Sequence, residues 1–188
     1  MMIATTKLEA INIILASIGA DPVNTIDAEA DVDVANALRM LNYTSRNIQR
    51  QGWDFNKAEV TLEPDVENKM IRINPTTISF RATDGGQYGT RSGYLYDVAN
   101  QTNKFDKPVT GELTVALDFE DLPDAFKNYI AIKAALDYQM QYMADASVSQ
   151  DLQMQLAEAH SDIVSYDMNM GSYNMLQLTN IANTLQRS

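Results

Sequence analysis

No cysteine occurs among the 188 residues, so disulfides, thiolate metal sites and cysteine nucleophiles are all excluded. Histidine is nearly as scarce: the single His160 leaves no material for a multi-histidine metal centre and little for acid–base catalysis. Positive charge is also in short supply. Fourteen Lys and Arg face 25 Asp and Glu, for a net charge of −11. A protein that grips nucleic acid needs a basic face to neutralise phosphates, and this chain has the opposite balance. No apolar run approaches 18 residues; Ile11 to Ile18 is broken by Asn12 and Ser17. The start carries no basic leader, so the expectation is a soluble, unprocessed intracellular product without a membrane partner.

What is present is ordinary globular material, 45% hydrophobic and 21% charged, enough for a packed core. Thr6 with Glu9 three residues on forms a capping-box signature. Leu8, Ile11, Leu15 and Ile18 follow at helical spacing until Gly19 and Pro22. A second helix is expected after the acidic "DAEADVD", with Val34, Leu38, Leu41, Ser45 and Ile48 as its inward stripe and Gly52 as its end. Period two then takes over in "AEVTLEP", "KMIRIN", "TISFRA", "GYLYDV" and "ELTVALDF", separated by turn residues, which predicts an antiparallel meander. Helices return after Pro123, with Tyr129, Ile132, Leu136, Met140 and Met143 as one stripe. Leu152, Leu156, Ala159, Ile163, Tyr166 and Met170 form the next, which Gly171 is expected to stop. The predicted class is α+β: a helical bundle from residues 1–54 and 120–171, an inserted antiparallel β domain at 55–119, and a tail at 172–188.

Each candidate for chemistry has a plainer alternative. "DGGQYGTRSG" gathers Gly85, Gly86, Gly89 and Gly93, but a phosphate cradle needs a helix next and the following "YLYDV" is strand-like. A flexible hairpin tip fits better, with Gly85, Gly86, Tyr88 and Gly89 as a contact loop. The carboxylates Glu112, Asp118, Glu120, Asp121 and Asp124 admit a glycoside hydrolase, or else a helix start at which Asp121 or Asp124 caps. Arg39, Arg46 and Arg50 lie nearly opposite the apolar stripe of the second helix, as a solvated face or an interface. Six of the ten methionines fall between Met140 and Met175, as core filler or as a docking surface that includes Met170, Tyr173, Asn174, Met175 and Leu176. The only tryptophan, Trp53, sits with Phe55 where helix gives way to strand, the place for a seam between two domains. Nothing assembles a nucleophile, a base and an oxyanion site, and no catalytic, cofactor or metal residues are assigned.

Several segments resemble the tail tubular protein A family of short-tailed, podovirus-type bacteriophages. They are "INIILASIGADPVNTID", "DVANALRMLNYTSRNIQRQGWDFN", "GYLYD" and "YDMNMGSYNML", with LASIG, Asn47–Asn56 and Gly171–Leu176 as the most specific anchors. The resemblance implies a structural virion protein, not an enzyme: an adaptor or gatekeeper of the head-to-tail connector. It implies a closed homo-oligomeric ring of about twelve copies between the portal protein and the tail nozzle protein. Double-stranded DNA would pass through that ring without specific binding. The protein would be made in the host cytoplasm and end in the virion, at the capsid vertex.

Overall fold

The computed structural model describes residues 6–27 and 31–185, with side chains placed as far as Gly171. The chain is α+β, with four helices and two antiparallel sheets among the described residues. It divides into two compact units, one of residues 1–48 and 118–188, the other Gln49–Leu117.

The first unit is helical. In α1 (Lys7–Ala16) the capping box is complete: the Glu9 amide donates to Thr6 Oγ1 and the Thr6 amide to Glu9 Oε2. Its buried face is Ala10, Ile11, Ile14 and Leu15, rotated from the expected stripe so that Leu8 and Ile18 are only half-buried. Gly19, at φ +75°, ends it in the left-handed region. Helix α2 (Val32–Gln49) starts on Asp31, whose carboxylate accepts the amides of Asp33 and Val34. Helix α3 (Asp124–Tyr142) buries more than its expected single stripe: besides Ile132 and Leu136 of that stripe, Phe126, Ile130, Ala131, Ala134, Ala135 and Tyr138 are buried, so that burial extends around most of its circumference. It packs against both α1 and α4, which is why one stripe is not enough. Ser17 Oγ donates to the Ile14 carbonyl (2.6 Å) and also comes within 3.2 Å of the Ala135 carbonyl, where the small Ala135 side chain lets the end of α1 approach α3 closely.

Three expectations are corrected here. Neither Asp121 nor Asp124 caps α3; Pro123 holds the cap position without a side-chain bond, and Asp124 lies in the first turn, paired with Lys127. Met140 and Met143 of the expected stripe are exposed (56% and 60%), whereas its Ile132 and Leu136 are buried. Gly171 does not stop the last helix, since α4 spans Ala146–Leu185. Gly171 is absent from the glycines at positive φ, and the Met, Leu and Gln that follow favour helix enough to offset a glycine penalty of about 1 kcal/mol.

The second unit is β. Strands β1 (Lys57–Leu62), β5 (Val109–Val115) and β2 (Thr77–Ala82) form one sheet in the order β1-β5-β2. Strands β3 (Tyr88–Arg91) and β4 (Tyr94–Asp97) form a hairpin. The sheet is antiparallel but not the expected meander, because the last strand lies between the first two. Val109, Gly111 and Thr114 are buried along β5, and a strand flanked on both edges is where such residues belong. "KMIRIN" is not a strand. It makes a single bridge, Arg72 with Tyr94, before the Asn74–Thr77 turn diverts it, yet its Ile71 and Ile73 are buried. With Leu95, Phe105 and Val109 they are the core of this unit.

Candidate functional site

The amphipathic α2 turns Val34, Ala37, Leu41 and Ile48 inward, which leaves Arg39, Tyr43 and Arg46 exposed on the outer face at four- and three-residue spacing. Arg50, just beyond the helix, is exposed as well. Asn36, Arg39, Met40 and Tyr43 of α2 and Gln141 and Tyr142 of α3 line an open groove of about 300 Å³. Arg39 Nη2 donates to Asn36 Oδ1 (2.7 Å), and the Tyr142 ring stacks on Tyr138 with centroids 4.4 Å apart. Tyr138 is fully buried, and its hydroxyl reaches the Asp33 carbonyl at 3.5 Å. Burial first, then the nearby carboxylate of Asp33, pushes its phenol up to about 12. No ion pair to Arg39, Arg46 or Arg50 occurs among the described residues.

Met170 is 41% exposed at the edge of the described side chains. The side chains of Tyr173, Asn174, Met175 and Leu176 lie outside the described residues, so their expected interface role has no geometry attached to it. His160 is exposed and faces Tyr129, with ring centroids 5.8 Å apart.

"NIQRQGWDFN" is held together by two amides that sequence reasoning passed over. Gln49 is buried (1% exposed); its Oε1 accepts from the Leu117 amide (2.7 Å) and its Nε2 donates to the Leu117 carbonyl (3.0 Å). Asn56, equally buried, donates to the carbonyls of Gln49 and Val115 and accepts from the Trp53 amide. The available signal was a pair of uncharged amides flanking an aromatic turn. Trp53 and Phe55 themselves are half-buried in this turn. Gly52 makes the turn possible, with φ +74°.

The glycine-rich stretch contains the expected hairpin turn, at its far end. Tyr88 and Gly89 belong to β3, and the hairpin turn is Ser92–Gly93, both at positive φ as a type I′ turn requires. Gly85 and Gly86 form the preceding turn, where the Gly86 amide donates to Asp84 Oδ1. Tyr88 packs on Phe80 and Phe105, and its hydroxyl donates to Asp84. Desolvation and then that bond raise its phenol. Of the carboxylates, Glu120 accepts the first amide of α1 from Lys7 (2.9 Å) and so serves a helix terminus. Glu112 lies on β5 in register with Glu59 on one side and Arg81 on the other. No cluster able to hold a metal ion occurs among the described residues.

Residues 8–173 match the model of a family described as tail tubular protein, which places the chain in the class of bacteriophage tail structural proteins. Tail tubular protein A of Klebsiella phage KP34 is 30% identical over 126 residues, which cover 66% of this chain and 67% of that protein. The chain belongs to the tail tubular protein family and is a component of the virion.

Proposed function

We propose that the chain is the ring-forming adaptor of the tail, seated between the portal and the nozzle, with the genome leaving through the ring. The observation that carries this reading is a family match over residues 8–173, which takes in residues of both compact units rather than one borrowed module. Two physical features support it. The exposed Arg39–Tyr43–Arg46 face supplies residue types enriched at protein interfaces. A net charge of −11 per copy, repeated around a ring, disfavours adhesion of a DNA that must slide. In this reading the segment from Ser172 onward docks on the portal or on a neighbouring copy. Trp53 and Phe55 stand at the joint in the sense that the chain leaves the helical unit at Ile48–Gln49 just before them.

The test is incubation of the purified protein with isolated portal rings, followed by imaging. A closed ring of added density on the portal is expected. Bare portal rings at saturating protein overturn the reading.

A further inference from the structure

The segment after β1 ends in an apolar knob. Val66 is 95% exposed, the highest value of any large apolar side chain among the described residues. Such exposure forgoes the stabilisation that burying the side chain would give, yet the turn that carries it is firmly built. Asp65 Oδ1 accepts the amides of Glu67 (3.1 Å) and Asn68 (3.0 Å), and Asn68 Oδ1 accepts that of Met70 (2.8 Å). The Asp65 amide and the Met70 carbonyl close the base at 2.9 Å, and Lys69 takes a left-handed φ of 58° to complete the turn. Lys69 also folds its ammonium back onto Asp106, which spends the one cation of the loop. The knob therefore presents valine with Glu63, Asp65 and Glu67 beside it, all exposed. A preformed knob of this kind loses little conformational entropy on binding.

The groove of α2 and α3 has the complementary character. Its lining offers apolar surface from Met40, Tyr43 and Tyr142, and its one charged lining residue is Arg39. Arg46 continues the positive charge along the same helix face. Knob and groove are different patches of one chain, and a contact between different patches propagates head to tail until it closes as a ring.

We propose that the Val66 turn of one copy seats in the Arg39–Tyr43–Tyr142 groove of the next, with Glu67 and Asp65 facing Arg39 and Arg46. This rests on the ring reading and adds the partner surface to it. The occupant is a second copy because one chain carries both halves with opposite charge. Arginine against carboxylate at the rim fixes the register, and valine between two tyrosines and a methionine supplies the apolar contact.

The absence of cysteine in the natural chain makes the test direct. V66C and Y43C proteins, each a full chain with one exposed substitution, are mixed, assembled on portal rings, oxidised and resolved on a denaturing gel. A V66C with H160C mixture sets the background. A disulfide-linked dimer well above that background supports the contact. Rings that form without such a dimer overturn this inference and leave the ring reading standing. Cross-links from V66C to the portal rather than to a second copy overturn it too. Failure of the wild-type protein to form rings overturns both readings. In a second measurement R39E and E67R each lower ring occupancy about tenfold, and the double variant restores it. Additive losses with no rescue count against the pairing.

Discussion

The Gln49 side chain pairs with the Leu117 backbone through both its oxygen and its nitrogen, as a strand residue pairs with its neighbour. These two residues are the first and last of the β unit. One buried side chain thus closes a loop whose ends are 68 residues apart. Asn56 ties the same closure to Val115 two residues earlier on the returning strand.

Substitution at this clasp should therefore cost more than its size suggests. Gln49→Leu keeps the volume but leaves the half-buried Leu117 amide and carbonyl without the partners they had, a loss of about 1–2 kcal/mol. Asn56→Asp sets a carboxylate against two carbonyls and should cost at least as much. Urea denaturation checks both, and midpoints within error of wild type would refute the clasp.

Gly111 and Gly89 make a matched pair of tests. A Cβ on Gly111 would lie 2.4 Å from the Arg81 carbonyl oxygen and 2.7 Å from the Phe80 ring. Backbone cannot yield as a side-chain tip can, so Gly111→Ala should destabilise by about 2–3 kcal/mol. Gly89→Ala meets nothing nearer than Val98 Cγ2 at 4.0 Å and should be nearly neutral. Equal thermal midpoints for the two variants would contradict the packing described for β5.

Trp53 is half-buried, so Trp53→Ala should cost less than the full burial value, about 2 kcal/mol rather than 3–5. Calorimetry of the variant reads this directly. A loss at or above the upper figure would show that further surface covers the ring.

Alkaline pH should weaken the helical unit through Tyr138. Its folded pKa is raised from 10.0 to about 12, so the neutral phenol is the form the native state favours. Below pH 10 that preference is fully present in the stability. Above pH 10 the unfolded chain releases the proton first, and stability falls as pH rises toward about 12. Tyr138→Phe should flatten this limb while losing the bond to the Asp33 carbonyl at neutral pH. Melting curves between pH 9 and 12, about half a unit apart, compare the two proteins; identical alkaline slopes would remove Tyr138 as the cause.

Deletion from Ser172 onward should leave the fold in place, because the α4 residues shown buried among those described, Leu152, Ala159 and Ile163, all precede the cut. Docking on portal rings should weaken. Portal affinity equal to that of the full chain, with an unchanged circular dichroism spectrum, would count against a docking tail.

Much of this protein was legible in its one-dimensional pattern. The Thr6 and Glu9 cap, the α2 stripe with its arginines opposite, the Gly19 and Gly52 stops and the α+β class all depend on neighbours within a few residues. Propensity, capping and periodicity act over that range. Tertiary structure decided what those signals do not carry. Period-two alternation is the same for every strand, so it says which faces are buried but not that β5 lies between β1 and β2. One apolar stripe of α3 was visible, whereas burial around its girth depends on helices arriving from both ends of the chain. Gln49 reads as one more polar residue near a helix end until Leu117 is brought against it. A hydrogen bond across 68 residues is a property of the fold, because its two partners share no local signal.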